Sequence, residues 1–292
     1  VASSTGPVGI TPDPLQILGV DVQRVEAGRR ADATDEVAVE EPFEIRIGGT
    51  SVALIMRTPG DDRSLAAGFL FAEGFIRSAD DVLTWAAGLD RDGFPDANIL
   101  DLGVRPDLDV SALAGQRNFP VSASCGLCGK ASIEATRLRL PAISSSATVT
   151  TEILHGLDAK LRAAQPVFAR TGGLHAAAVF DLDGKLLLAS EDVGRHNAVD
   201  KVIGRLLRER RLPASAHLLM VSGRVSFELV QKAAVAGIPI FVAVGAPSSL
   251  AVEMAAACEM TLVGMLRSGR FVVYSRADRI APDAGACSSA NR

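Results

Sequence analysis

The feature that most constrains this chain is the alternation of short apolar runs with helical stretches in its C-terminal half. Leu218–Val221 and Ile238–Val244 read as strands that are apolar on nearly every residue. Such strands need cover on both faces. Phe227–Ala236 follows the first with helical spacing, and a longer helix capped by Ser248 or Ser249 follows the second to about Glu259. Strands alternating with helices imply a sheet with parallel pairs and helices packed on its faces. The same unit holds a hairpin, Leu174–Phe180 with Lys185–Ala189, turning at Asp183-Gly184. It also holds a helix over Asn197–Arg208 with Val199, Val202, Ile203 and Leu206 on one side, and strands Thr261–Leu266 and Phe271–Tyr274 around Ser268-Gly269. A helix bearing Ile153, Leu154, Leu157 and Leu161 opens the unit. The fold class is α/β, or α+β over the whole chain, and the larger unit spans 150–279.

A smaller α+β unit is expected over 31–118. Phe43 and Ile45 alternate with Glu44 and Arg46, Gly48-Gly49 makes a turn, and Val52, Leu54 and Met56 return as a second strand. Asp61-Asp62 can cap a helix with the stripe Leu65, Phe69, Ala72 and Ile76, and a strand follows near Ile99–Val104. Residues 1–30, rich in small residues, read as a flexible segment, 119–149 as a loop and linker, and 280–292 as a flexible tail.

Composition narrows the function. Net charge is −4 and the pI about 5.7, which excludes a general nucleic-acid binder. No run of about 18 apolar residues and no basic start before an apolar block are found, so neither a membrane span nor a secretory signal is expected. Four cysteines, Cys125, Cys128, Cys258 and Cys287, are too few for a disulfide scaffold of this length. The expected compartment is the cytoplasm.

Chemistry concentrates in the loops. Ligands of open α/β sheets bind beyond the carboxyl ends of strands. Three polar loops fall there: Ser190–Asn197, Ser222–Ser226 and Gly245–Ser249. Each offers small residues, donors and a helix start, a set suited to an anion such as phosphate, while tight turns and caps explain the same residues. Arg195 and Arg224 add charge, and His196 sits beside Arg195 and near Asp192. Phe271 and Tyr274 serve as core aromatics or could stack on a flat heterocycle.

The sharpest local signal is Ser124-Cys125-Gly126-Leu127-Cys128-Gly129-Lys130. Two intervening residues let both sulfurs reach one atom, which suits a metal, a dithiol–disulfide couple or a persulfide beside a second thiol. Structural zinc would need a second ligand cluster, and the chain has only His155, His175, His196 and His217 besides its cysteines. A redox motif opening a helix fits poorly with Pro120, Gly126 and Gly129. Zinc deaminases place a glutamate two residues after a histidine; Ala177 stands there after His175, so deamination is rejected.

Taken in order, the motifs resemble the FdhD/NarQ family of formate dehydrogenase accessory sulfurtransferases. They are Arg57–Asp62, Gly68–Leu70, Glu73-Gly74, Cys125–Gly129, Thr171–Ala177, Glu191–Lys201, Ser222–Arg224 with Gln231-Lys232, and Ala246–Val252. The resemblance implies a sulfur carrier. It would take sulfur from a cysteine desulfurase and pass it to the molybdenum cofactor in its bis(molybdopterin guanine dinucleotide) form, for formate dehydrogenase as client. It assigns the persulfide to Cys125 with Cys128 as partner, and cofactor contact to Phe271, Val272, Val273, Tyr274, Ser275 and Arg276, with Arg195, His196 and Arg224 added from the loops. The family often has Asn and Thr where Val272 (or its neighbour) and Ser275 stand, a departure that removes side-chain polarity at one position. The resemblance further implies a cytidine-deaminase-like three-layer fold for the larger unit. A two-armed cofactor suggests a homodimer; no permanently bound metal is expected. A carrier that only binds the cofactor, without covalent sulfur transfer, is the alternative.

Overall fold

The computed structural model describes residues 13–108 and 142–282. Cys125, Cys128 and Cys287 lie outside these residues. Fourteen strands and six α-helices form four sheets among the described residues. The first sheet is a hairpin of β1 (Ile17–Glu26) and β2 (Arg29–Ala38). Residues 1–30 were expected to be flexible; β1 corrects this for Ile17–Glu26. Its valines at every second position from Val20 pair across to Asp35 and Ala33 and give the segment strand periodicity.

The small lobe is a four-stranded sheet in the order β4-β3-β6-β5, built from β3 (Glu41–Ile47), β4 (Thr50–Arg57), β5 (Val82–Leu89) and β6 (Pro95–Val104). Helix α1 (Asp62–Ala72) covers one face. Phe43, Ile45, Ile47 and Ile55 meet Leu65, Phe69 and Leu70 in a closed apolar core. Burying each such side chain contributes about 1.5–3 kcal/mol. Asp61 was expected to cap α1 with its side chain. It instead adopts a left-handed conformation with no such bond, and its carboxylate pairs with Arg205 at 2.6 Å.

The large lobe is a six-stranded sheet in the order β13-β12-β11-β10-β8-β9. Its strands are β8 (His175–Asp181), β9 (Leu186–Asp192), β10 (His217–Val221), β11 (Ile240–Ala243), β12 (Thr261–Arg267) and β13 (Arg270–Ser275). β10, β11 and β12 are parallel; β8, β9 and β13 run antiparallel to their neighbours. The period-2 alternation of each strand divides it between two cores. Val179, Leu219, Val221, Phe241 and Leu262 face α4 (Arg195–Arg208), α5 (Phe227–Val235) and α6 (Ser249–Ala257). Phe180, Leu218, Met220, Ile240 and Val242 face α2 (Thr151–Ala163). The lobe is thus three layers, helix, sheet, helix, with the central strands buried on both sides. Pro166, read as a break after α2, opens the short helix α3 (Pro166–Thr171), where a first-turn proline loses no hydrogen bond. Two short strands, β7 (Val149–Thr150) and β14 (Ile280–Ala281), pair in parallel and bring the two ends of the lobe together.

The lobes join along α1 and α4. A Cβ on Gly204 would lie 1.9 Å from the Ser64 carbonyl oxygen, and one on Gly68 would lie 1.9 Å from that of Asp200. Only glycine allows the two backbones this approach. Around the crossing, Arg208 donates to Ser64 Oγ at 2.8 Å, and Lys232 pairs with Asp200 at 2.7 Å while lying over the Phe69 ring.

Candidate functional site

The parallel strands place their carboxyl ends on one edge of the large lobe, and the three polar loops leave from that edge. Two of them are zipped together by main chain. Gly245 N–H donates to Gly223 O at 3.0 Å, Val225 N–H to Ala246 O at 3.1 Å and Ser248 N–H to Val225 O at 3.0 Å. A Cβ on Gly245 would come within 2.6 Å of Gly223 O, so the brace depends on glycine. Ser222 ties the pair to β8: its hydroxyl accepts from Ala176 N–H at 2.9 Å and its own N–H donates to Ala176 O at 3.0 Å.

The third loop runs from β9 into α4. His175 pairs with Asp192 across β8 and β9, which sets it at the same edge. Arg195 and His196 open α4 there. Burial lowers the His175 pKa first, and the charges of Arg195 and His196 lower it further. The three side chains therefore share one electrostatic neighbourhood, which disfavours a proton on His175. Gly223 approaches His175 closely enough that a Cβ would be 3.3 Å from its Nδ1. His196 is 8% exposed; its Nε2 lies 3.1 Å from Ser226 Oγ and 3.0 Å from Glu228 Oε2. Arg195 Nε and Glu228 Oε1 are buried without a hydrogen-bond partner among the described residues. Arg224 is exposed on the neighbouring loop.

Much of the Glu191–Lys201 motif serves another purpose. Asp192, fully buried, accepts from Gly194 N–H and Asn197 Nδ2 at 2.8 Å each, and pairs with Lys201 at 2.7 Å. Lys201 also donates to Thr58 O at 2.9 Å, and Asn197 to Met56 O at 2.8 Å. Thr58 N–H reaches back to Asp192 at 3.3 Å. This network fastens the small lobe to the large one. Each charge is paired and hydrogen-bonded, the condition for burying it at all. Arg57 is likewise structural: it pairs with Glu41 and Asp62, donates to Asn98, and lies over Phe43.

The stretch 271–276 is split by its strand. Phe271 packs against the His155 ring in the core facing α2. Tyr274 lies over Gly264 beside Pro247, next to the zipped loops. Val272 is exposed, while Val273 joins the α2-side core. Ser275 donates to Met260 O at 2.7 Å, and Arg276 pairs with Glu259 and Asp278. Arg276 thus stands at the start of β12, across the sheet from Arg195, His196 and Arg224, with its guanidinium already engaged. Sequence reasoning named Ser226 only as the end of the 222–226 loop and passed over Glu228. The signal was present: a serine cap and a carboxylate in the first turn of α5, one helix away from His196.

Arginine, histidine and free main-chain groups at strand ends can bind an anion. Ser226 and Glu228 share one nitrogen of His196, so the trio is not a nucleophile–base–carboxylate relay, which uses both ring nitrogens. No group of three potential metal ligands occurs among the described residues. The arrangement defines a class: a mixed α/β protein with a three-layer lobe whose polar site gathers at the carboxyl ends of parallel strands.

The chain belongs to the FdhD/NarQ family, whose model matches residues 38–281. It is 50% identical over 268 residues to a protein of Mycolicibacterium paratuberculosis named sulfur carrier protein FdhD, covering 89% of this chain and 97% of that one. A protein of the same name from Sulfolobus acidocaldarius is 44% identical over 266 residues, 91% of this chain and 99% of the relative. Among solved structures, a formate dehydrogenase accessory protein from Desulfotalea psychrophila superposes with a TM-score of 0.71. It is 24% identical and matches over 91% of this chain and 100% of its own. That likeness shows the fold.

Proposed function

We propose that the protein is a sulfurtransferase that carries sulfur as a persulfide on Cys125 and delivers it to the bis(molybdopterin guanine dinucleotide) molybdenum cofactor for formate dehydrogenase. The observation that supports this reading is the full-length relationship to proteins named sulfur carrier protein FdhD, in a chain that has the Cys125-x-x-Cys128 pair. A cysteine desulfurase is the donor. The Cys125 thiolate attacks the donor's sulfane sulfur, and the donor cysteine leaves as thiolate. In delivery, Cys128 attacks the inner sulfur of the Cys125 persulfide. Its S–S bond breaks, a Cys125–Cys128 disulfide forms, and the outer sulfur leaves as sulfide, the form a metal accepts. A dithiol reductant then resets the pair.

The loops 222–226 and 245–249, with Arg195, His196 and Arg224, hold phosphates of the cofactor in this reading, and Tyr274 lies where a flat base could stack. A homodimer offers one such site to each arm. No helix among the described residues is long and apolar enough to cross a membrane. The test is incubation with a cysteine desulfurase and cysteine, followed by intact mass and peptide mapping. One added sulfur on the Cys125 peptide, absent in Cys125→Ala, is expected. An unmodified protein beside an active desulfurase refutes the carrier role and leaves the binding-only carrier.

A further inference from the structure

We propose that Glu228 is a positioning residue: from the first turn of α5 it fixes the His196 ring so that Nδ1 is the nitrogen presented to a bound anion. The inference rests on the phosphate reading of the loops at this edge. It starts from a cost. Glu228 is 7% exposed and one carboxylate oxygen, Oε1, is buried without a partner. A buried carboxylate with half its acceptors unmet destabilises a fold. It persists where its other oxygen does something the chain needs.

That other oxygen, Oε2, sits 3.0 Å from His196 Nε2, and Ser226 Oγ sits 3.1 Å from the same atom. An ionised carboxylate only accepts, so Nε2 carries the proton. The hydroxyl of Ser226 shares it. With Nε2 held in this way, the tautomer of the neutral ring is set, and a second proton can only enter at Nδ1. Nδ1 meets no hydrogen-bond partner among the described residues, and it is not among the buried unpartnered atoms. It is the end of the ring away from the start of α5, where Ser226 and Glu228 both meet Nε2. His175 and Arg195 share the neighbourhood of this ring, since burial first and then the charges of Arg195 and His196 lower the His175 pKa. Nδ1 meets an anion as a donor only in the doubly protonated ring, whose Nδ1–H is charge-assisted and whose other nitrogen faces the Glu228 carboxylate.

A structural role and a positioning role differ in what they couple to. The test uses the full chain and inorganic pyrophosphate, with isothermal titration for wild type, Glu228→Gln, His196→Ala and the double variant. Nitrogen-15 spectra of the histidine rings are recorded alongside. The wild-type ring is expected as a single Nε2–H tautomer, and Glu228→Gln is expected to mix tautomers. Glu228→Gln should weaken pyrophosphate about tenfold, the range of one charge-assisted hydrogen bond. It should have no further effect once His196 is alanine. An equal loss with and without His196, or wild-type affinity in Glu228→Gln, overturns the proposal. A wild-type ring with mixed tautomers overturns it too, even where pyrophosphate binds. A clamped ring in a protein that binds no pyrophosphate overturns the phosphate reading and, with it, the role assigned to the clamp. Should Glu228→Gln fail to fold, Glu228→Asp, which keeps the charge and shortens the reach, enters the same cycle with the same expected loss.

Discussion

Gly204→Ala and Gly156→Ala are the same substitution in the middle of a helix, and the structure gives them opposite signs. Helix propensity alone makes each stabilising by about 1 kcal/mol, because alanine loses less backbone freedom on folding. At Gly156 in α2 a Cβ meets nothing within 4 Å, so the propensity gain is the whole effect. At Gly204 in α4 the new carbon would lie 1.9 Å from the Ser64 carbonyl oxygen and 2.6 Å from Gly68 N. Carbon–oxygen contacts become comfortable at roughly 3.3 Å, so α1 and α4 must part by about 1.4 Å. Both obstructing atoms are main chain and cannot rotate away. A gap of ~1 Å already forfeits up to half of each dispersion contact along the seam, and overpacking of this kind costs about 1–3 kcal/mol or more. With a main-chain contact this close the cost lies at or beyond the upper end of that range, so after the propensity gain Gly204→Ala is expected to lose about 2 kcal/mol or more, read as a lower urea midpoint at unchanged slope. Gly156→Ala should raise the midpoint. Gly204→Ala stabilising the protein as much as Gly156→Ala would refute the backbone contact that joins the lobes.

Two further outcomes follow from charges away from the site. Burial pushes the Asp200 carboxyl up to about 6 against the pull of Lys232, from an ordinary value of 3.8. Its folded pKa lies above its unfolded one, so its contribution is complete below about pH 3.8 and is lost as pH rises through about 6. Stability read from urea unfolding between those limits should fall with rising pH by about 3 kcal/mol, and the fall should be markedly smaller in Asp200→Asn; an unchanged slope in that variant contradicts the assignment. The β1–β2 hairpin contributes no residue to the three buried cores, and Arg170 holds it to α3 through paired contacts with Glu36. Arg170→Ala should speed amide exchange across residues 17–38 while thermal stability changes by no more than ~0.5 kcal/mol. A large drop in melting temperature would show that the hairpin is part of the cooperative fold.

The strand–helix rhythm of residues 174–274 was legible because burial on both faces forces apolar runs and helices declare themselves at 3.6-residue spacing. β5 escaped notice: Val82–Leu89 is mostly exposed, and its Ala86, Ala87 and Gly88 carry no alternation. The hairpin turning at Ala27-Gly28 was missed because its alternation is short, Val20 and Val22 only, and most of its other residues are exposed. For the site, sequence reasoning located the right loops, since glycine, serine and helix starts mark strand ends in any α/β sheet. It could not separate His196, which faces Ser226 and Glu228, from Asn197 and Lys201 on the same helical turns, which bind the other lobe. Adjacent residues of a helix point 100° apart, and a motif read along the chain merges what the helix divides. Arg276 shows the same limit along a strand: five residues after Phe271, it has crossed to the far end of the sheet.

The brace between the 222–226 and 245–249 loops has a practical consequence for genetics. Its bonds run from amide to carbonyl, so deleting side chains leaves it standing. An alanine scan leaves Ala246 as it is, and at Val225 it reports the loss of a buried side chain, not of the brace. Only adding bulk, as in Gly245→Ala, or removing a donor with proline at Val225, reaches the interaction. A mutational map built from truncations would therefore record side-chain losses at these loops and miss the main-chain bonds that align the site.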